Sequence, residues 1–155
     1  MGARILRARL FLPALALLVL VAADARETEA QGAVTVDRFV GAWELVDWRA
    51  ADAAGTVRFP YGEDAQGQIT YSANGRMSAH LMRPPADPAD APPQHLSYWG
   101  RFSLDADAGT VTHHVIGSDQ SNWLGSDQVR QFAFEGDDRL VLSLGSNRLT
   151  WERAR

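Results

Sequence analysis

The stretch GQITYSANGRMSAHLMR, residues 67–83, contains two alternating runs joined by residues 72–75. Ile69 and Tyr71 alternate with polar residues before the joint, and the same spacing resumes at Met77 after it, as in strands that bury one face. Asn74-Gly75 between two such runs is a strong signal for a tight β-hairpin. The stretch therefore predicts two antiparallel strands.

Further alternating runs flank this hairpin at short intervals. They are FVGAWELVDWRA (39–50), SYWGRFSLD (97–105), TVTHHVIGS (110–118), SDQVRQFAFEG (126–136), RLVLSLG (139–145) and RLTWERA (148–154), with TVRFPYG (56–62) as a short extended piece broken by Pro60. In the first run, Trp43 and Leu45 share one face, whereas Val46 and Trp48 share the other. About eight strands between residues 38 and 153, without a convincing helix, predict an all-β fold. An eight-stranded antiparallel up-and-down barrel is expected because closure removes exposed edges, and a two-sheet sandwich is the alternative.

Residues 84–96, PPADPADAPPQHL, contain five prolines. Proline fixes φ and lacks an amide hydrogen, so this segment cannot form a helix interior or a central strand. We expect it to be the one long loop of the domain.

The first 25 residues have the layout of a secretory signal peptide. Three arginines precede an apolar run of 13 residues at 10–22, and the small-x-small pattern Ala23-Asp24-Ala25 follows. This run is shorter than the roughly 18 residues expected of a membrane-spanning helix. We expect export to the periplasm or the medium and cleavage after Ala25, then a short linker at 26–37 and one domain at 38–155. An uncleaved anchor is the alternative.

Charge and cysteine content exclude several classes of function. Cleavage after Ala25 removes three arginines and one aspartate, leaving 12 arginines against 18 acidic residues and a net charge of −6. Such an acidic protein is not expected to bind nucleic acid or, after cleavage, a membrane surface. The chain has no cysteine, which excludes disulfides, thiol catalysis and cysteine-ligated metals. No pattern indicates an oligomeric state.

His113 and His114 are adjacent in a predicted strand, so their side chains point to opposite faces. If Val111 and Val115 face inward, His113 faces inward with them and His114 faces outward, although Ile116 complicates this parity. No HExxH or H-x-H spacing is present, so no metal site or cofactor is predicted.

Arg130 lies in a strand whose alternation places it inside the barrel. Gln128, Arg130, Phe132 and Phe134 share one face, and two phenylalanines do not suit a solvated face. A buried guanidinium is costly unless it meets an acceptor. It can form a salt bridge to Glu44 or Asp47, pack on a tryptophan, or receive the carboxylate or other polar head of a ligand.

Several stretches resemble a known family. Gly41-Ala42-Trp43 is similar to the Gly-x-Trp signature that opens the first strand of lipocalins, and Arg153 lies where lipocalins often stack an arginine on that tryptophan. Residues 60–84, 109–132 and 136–144 together resemble the lipocalin-like domain family of bacterial and fungal proteins. The resemblance covers about residues 38–153. The chain departs from it between Pro84 and Leu96, where many members have a longer segment with a helix.

The resemblance implies an eight-stranded barrel with a central cavity for a small, largely apolar or amphipathic molecule, and no shared reaction. The expected inward set is mostly apolar (Trp43, Leu45, Ile69, Tyr71, Met77, Phe132), and no nucleophile, base and acid set is evident. The candidate ligand-binding residues are Arg130, Gln128, His113, Trp123, Tyr71, Met77 and Phe132. Trp123 either caps the cavity or covers the barrel end. The alternatives are an isomerase, cyclase or hydrolase that uses His113 and Arg130 in the same cavity, and a ligand-free barrel filled by side chains.

Overall fold

A computed structural model of the chain describes residues 35–85, 87 and 94–155. The expected signal peptide and most of the expected linker lie outside these residues. The elements are α1 Val36–Phe39, β1 Gly41–Ala51, β2 Val57–Arg58, β3 Gln66–Tyr71, β4 Arg76–Arg83, β5 Gln94–Asp105, β6 Thr110–Ser118, a 3₁₀ turn Ser121–Trp123, β7 Asp127–Phe134, β8 Arg139–Leu144 and β9 Asn147–Arg153. No helix within the described ranges is long and apolar enough to cross a membrane.

The strands form a closed antiparallel barrel, as the sequence predicts. β1 and β3 through β9 pair in sequence order, and β9 returns to pair with β1 from Trp43↔Arg153 to Ala50↔Asn147. β2 is an additional two-residue strand that pairs with the end of β1. Eight strands therefore make the barrel wall, and the sandwich alternative is wrong.

The hairpin predicted at Asn74-Gly75 joins β3 and β4. Gly75 has φ +78°, a backbone conformation that glycine adopts without steric cost, and its amide donates to the carbonyl of Ser72 at 3.0 Å. β3 and β4 then pair from Tyr71↔Met77 to Gln66↔Met82. This register places Ile69, Tyr71 and Met77 in the core.

A β-bulge in β1 changes which side chains face inward. Leu45 pairs with Trp151 and Asp47 with Thr150, so Val46 is the extra residue and is 42% exposed. An extra residue reverses the alternation beyond it. Trp48 therefore packs against the same core as Trp43. The prediction that Trp48 and Trp43 lie on opposite faces is wrong for this reason.

α1 closes one end of the barrel. The sequence pattern predicts a strand that begins at Phe39, but Phe39 is the last residue of this helix. Phe39 is fully buried, and its ring meets those of Phe132 and Phe134 at 5.1 Å, edge to face. The Phe39 carbonyl also accepts a hydrogen bond from Trp43 Nε1 at 2.8 Å. The strand begins only at Gly41.

β5 starts earlier than the predicted loop allows. It begins at Gln94, directly after the last proline, and pairs with β4 as far as Arg83↔Gln94. The sequence argument for a loop at 84–96 is thus wrong for residues 94–96, since the backbone restriction imposed by proline ends at Pro93. Pro84 and Pro85 lie outside regular structure, as expected.

Candidate functional site

A cavity of about 150 Å³ lies inside the barrel, toward the end opposite α1. Much of its apolar wall is formed by Ile69, Leu81, Leu96, Leu142, Leu144 and Leu149. Trp48, Trp123 and Trp151 line it as well. The other half of the barrel is filled by the aromatic contacts of Phe39, so the interior divides into a packed half and a half with a void.

Arg130 faces this cavity, and only 9% of its surface is exposed to solvent. Its Nη1 donates to the carbonyl of Val129 at 3.2 Å, and its Nη2 donates to Gln128 Oε1 at 3.4 Å. Its guanidinium carbon lies 5.7 Å from the ring centroid of Trp123. These contacts are long for a buried charge, so the guanidinium retains capacity for an acceptor.

Arg130 does not form either of the salt bridges considered from the sequence, to Glu44 or to Asp47. Glu44 is exposed on the outer face of β1. Asp47 pairs with Arg49 at 3.0 Å and accepts from Thr150 Oγ1 at 3.4 Å. No carboxylate of the described residues lies within ion-pair distance of Arg130, whereas its packing on a tryptophan, the other structural alternative, is observed.

His113 is fully buried and bridges two tyrosines. Tyr71 Oη lies 2.7 Å from His113 Nε2, and Tyr98 Oη lies 3.0 Å from His113 Nδ1. Both tyrosines are buried, and Tyr98 alone of the three lines the cavity. The parity argument for an inward His113 and an outward His114 therefore holds.

Burial sets the protonation states of this group. Burial, with the positive charges of Arg130 and His114 adding to it, lowers the pKa of His113 to about 3. Burial raises the pKa of Tyr98 to about 12 against the opposing effect of Arg130, and it raises the pKa of Tyr71 well above its usual value. The three side chains are neutral near pH 7, so His113 is not an imidazolium acid there.

The cavity receives only part of the predicted site. Arg130 and Trp123 line it. His113 does not line it but contacts the lining residue Tyr98, and Gln128 contacts the lining residue Arg130. Tyr71 reaches it only through His113. Met77 and Phe132 are not among the lining residues, because both lie in the half of the barrel packed around Phe39.

Tyr98, Trp48 and Trp151 line the cavity but were missed by the sequence reasoning. Tyr98 alternates with Gly100 and Phe102 along β5, and Trp151 alternates with Leu149 along β9, so period-two counting could have found both. Trp48 could not be found in this way because the bulge at Val46 reverses its face.

On the outer face, Ser103, His114 and Asp127 form a hydrogen-bonded line across β5, β6 and β7. Ser103 Oγ lies 2.9 Å from His114 Nε2, and His114 Nδ1 lies 2.7 Å from Asp127 Oδ1. The sequence spacing does not reveal this line, because the sheet register brings together three residues that are far apart in sequence. This line has the order of a hydrolytic triad but stands on an exposed sheet surface, outside the residues that line the cavity.

No cluster of histidine and carboxylate ligands suitable for a metal ion occurs among the residues that the structure describes. His80 is exposed and contacts Ser97 Oγ at 3.3 Å, and His95 is exposed on β5. A second, larger concavity of about 630 Å³ is an open surface groove lined by charged residues. Exposed side chains of this groove form ion pairs with one another, such as Arg139 with Glu152 at 2.7 Å.

A family profile described as a lipocalin-like domain matches residues 40–154. The chain belongs to the lipocalin-like domain family. The closed barrel and the packing of Arg153 on Trp43, with 4.2 Å between the guanidinium carbon and the ring centroid, agree with this membership. No curated protein matched the sequence.

Two solved structures resemble this lipocalin-like protein. One is the crystal structure of a lipocalin-like protein from Bacteroides uniformis, 14% identical, covering 76% of this chain and 99% of that chain with a TM-score of 0.50. The other is an uncharacterized protein from Bacteroides eggerthii, 12% identical, covering 75% and 99% with a TM-score of 0.49. At such identities the likeness concerns the fold alone.

Proposed function

We propose that this lipocalin-like protein is an exported carrier that holds a small, largely apolar molecule in the barrel cavity. The observation that carries the proposal is the cavity itself, whose wall is mostly leucine and tryptophan around a single buried arginine. Lipocalin-type barrels generally bind small hydrophobic molecules. Apolar walls with a few placed polar groups are the usual composition of a small-molecule site.

The size of the cavity limits the ligand. About 150 Å³ is below the range of roughly 300–1,000 Å³ that drug-sized molecules occupy. It is of the order that holds a benzene-sized molecule in an engineered protein cavity. The proposed ligand is therefore compact, comparable to a substituted benzene or a short branched chain.

The enzymatic alternative receives less support. It requires His113, Arg130 and Gln128 to face one void, yet of these three residues only Arg130 lines the cavity. It also requires a titratable acid, and the pKa of His113, lowered to about 3 by burial, keeps this side chain neutral. The ligand-free barrel remains the principal rival to the carrier.

Binding of toluene, a neutral and compact probe, tests the carrier against the ligand-free barrel. Toluene should raise the melting temperature of the protein and change the fluorescence of the cavity tryptophans. Leu149→Phe fills the cavity and should abolish both effects. Leu124→Phe makes the same change at a side chain that is 55% exposed and outside the cavity, and it should preserve both effects. A wild-type protein that responds neither to toluene nor to its polar analogues of the same size would support the filled barrel instead.

We propose export on the basis of residues 1–25, whose arginines, apolar run and small residues fit a signal peptide. The mass of the protein recovered from the periplasm or medium of a bacterial host should correspond to residues 26–155. Ala25→Phe places a large side chain at the cleavage position and should leave the segment attached. Recovery of the uncleaved wild-type chain in the membrane fraction would favour the anchor.

A further inference from the structure

The polar groups of the cavity wall with spare hydrogen-bonding capacity are chiefly donors. Trp151 Nε1 is buried and has no hydrogen-bond partner within the described part of the chain. The side-chain oxygen of Asn147 already accepts from Trp48 Nε1 at 2.8 Å. Arg130 can only donate. No carboxylate is among the residues that line the cavity.

Tyr98 also lines the cavity, and whether its hydroxyl can donate to a ligand depends on the tautomer of His113. O–H donors make shorter hydrogen bonds than N–H donors, roughly 2.7–2.8 Å against 2.9–3.0 Å. The 2.7 Å contact of Tyr71 Oη with His113 Nε2 therefore fits donation by the hydroxyl, and the 3.0 Å contact of His113 Nδ1 with Tyr98 Oη fits donation by the ring.

Hydrogen-bond accounting gives the same direction. A neutral imidazole has one N–H and one lone pair, so one tyrosine donates to it and the other accepts from it. Tyr71 is 1% exposed and has no other hydrogen-bond partner among the described residues, so reversal would leave its proton buried and unsatisfied. Tyr98 lines the cavity, where a free hydroxyl proton can meet a ligand.

We infer that the molecule bound in the cavity carries a carboxylate or an equivalent oxyanion, which accepts hydrogen bonds from Arg130 and from the Tyr98 hydroxyl that Tyr71 and His113 orient. This inference rests on the proposed function. A neutral hydrocarbon supplies neither a negative charge for the buried guanidinium nor an acceptor for the donors that have spare capacity. An oxyanion satisfies them and balances the charge of Arg130. The body of the ligand then occupies the leucine-rich part of the cavity.

Isothermal titration with benzoate, benzamide, benzylamine and toluene tests the inference. Benzoate and benzamide have nearly the same shape and differ in charge. At pH 7 benzoate should bind about tenfold or more tightly than benzamide, since hydrogen bonds to a charged group are the stronger ones. Benzylamine, a cation, should not bind detectably.

Three substitutions assign the effect to residues. Arg130→Gln and Tyr98→Phe should each weaken benzoate binding by about tenfold and reduce the preference for benzoate over benzamide. Tyr71→Phe removes the group that fixes the His113 tautomer. It should weaken benzoate binding although Tyr71 does not line the cavity. The control is Tyr61→Phe, because Tyr61 stacks on the cavity-lining Trp48 at 4.7 Å between ring centroids but is not itself a lining residue, and the substitution keeps the stacked ring.

Nitrogen-15 NMR of the His113 ring measures the tautomer directly and does not depend on any variant folding. The Nδ1–H tautomer supports the inference, and the Nε2–H tautomer overturns it. Toluene binding without a preference for benzoate over benzamide also overturns it, while the carrier function stands. Binding of neither toluene nor benzoate would refute the carrier function and this inference together.

Discussion

The guanidinium of Arg153 lies over the ring of Trp43, with 4.2 Å between its central carbon and the ring centroid. It also donates to the carbonyls of Val40 and Arg38 at 2.9 and 3.0 Å. Arg153 of β9 thus covers the buried Trp43 of β1 and is hydrogen-bonded to the residues that precede β1. This contact joins the two strands where the barrel closes.

Arg153→Gln should therefore destabilise the barrel by about 2 kcal/mol, because two charged hydrogen bonds and a cation–π contact are lost at a partly exposed site. Chemical denaturation measures the change. Arg148→Gln is the control on the same strand, since Arg148 makes an exposed ion pair with Glu135 at 2.8 Å and should matter by less than about 0.5 kcal/mol. Equal effects of the two substitutions would contradict a closing role for Arg153.

Arg130→Leu should leave the stability of the ligand-free protein unchanged or raise it. The substitution removes a buried charge that has no carboxylate partner among the described residues, so it leaves no carboxylate unpaired. A thermal melt without ligand measures the effect. A decrease in melting temperature larger than about 10 °C would indicate a structural partner for Arg130, as a loss of roughly 3–5 kcal/mol implies for a domain of this size.

His113 should make stability depend on pH in the acid range. Burial lowers its pKa to about 3 in the folded state, against 6.5 as the ordinary value. Between these values the unfolded chain binds a proton that the folded chain does not, so stability falls as pH decreases from about 6.5 toward 3, by up to about 1.4 kcal/mol per pH unit. Above about pH 6.5 this contribution is complete.

His113→Gln should make the free energy of unfolding less dependent on pH, because unfolding then takes up about one proton fewer in this range. Denaturation at a series of pH values measures the change. His95→Gln is the matched control because His95 is exposed on β5. If both variants keep the wild-type slope between pH 6 and 4, His113 is not the group responsible.

Gly100→Ala should destabilise the protein far more than Gly117→Ala. A methyl group at Gly100 would overlap the backbone carbonyl of His114, which the β5–β6 pairing holds in place. A methyl group at Gly117 would meet the Trp99 ring, which is 49% exposed and can rotate away. Melting temperatures of the two variants check the difference, and a similar decrease in both would contradict it.

The line of Ser103, His114 and Asp127 should not hydrolyse esters. Hydrolysis requires preorganised donors for the oxyanion, but Ser103 lies in the β5–β6 ladder opposite Thr112, and the neighbouring amide of Phe102 donates to the carbonyl of Gly75 at 3.0 Å. We expect no stoichiometric labelling of Ser103 by a fluorophosphonate and equal hydrolysis of p-nitrophenyl acetate by the wild type and Ser103→Ala. A labelled Ser103 would instead establish a second, surface-exposed site.

The sequence alone determined the barrel and much of its inward face. Alternation of period two fixes the face of Ile69, Tyr71, His113 and Arg130, because it is a local property of each strand. The Asn74-Gly75 turn and the short spacings fix the order of the hairpins. The packing of Arg153 on Trp43 followed from resemblance to the lipocalin-like family.

Only the tertiary structure decided which inward residues share the cavity. The bulge at Val46 has no signal in the sequence, yet it turns Trp48 into the barrel. The plug formed by Phe39 fills one half of the interior and leaves Met77 and Phe132 away from the void. Among the described residues, no acidic side chain lies beside Arg130. The reason is that acidic residues of strands distant in sequence, such as Glu44, point outward. A cavity is the space left after every side chain is placed, and strand periodicity cannot encode it.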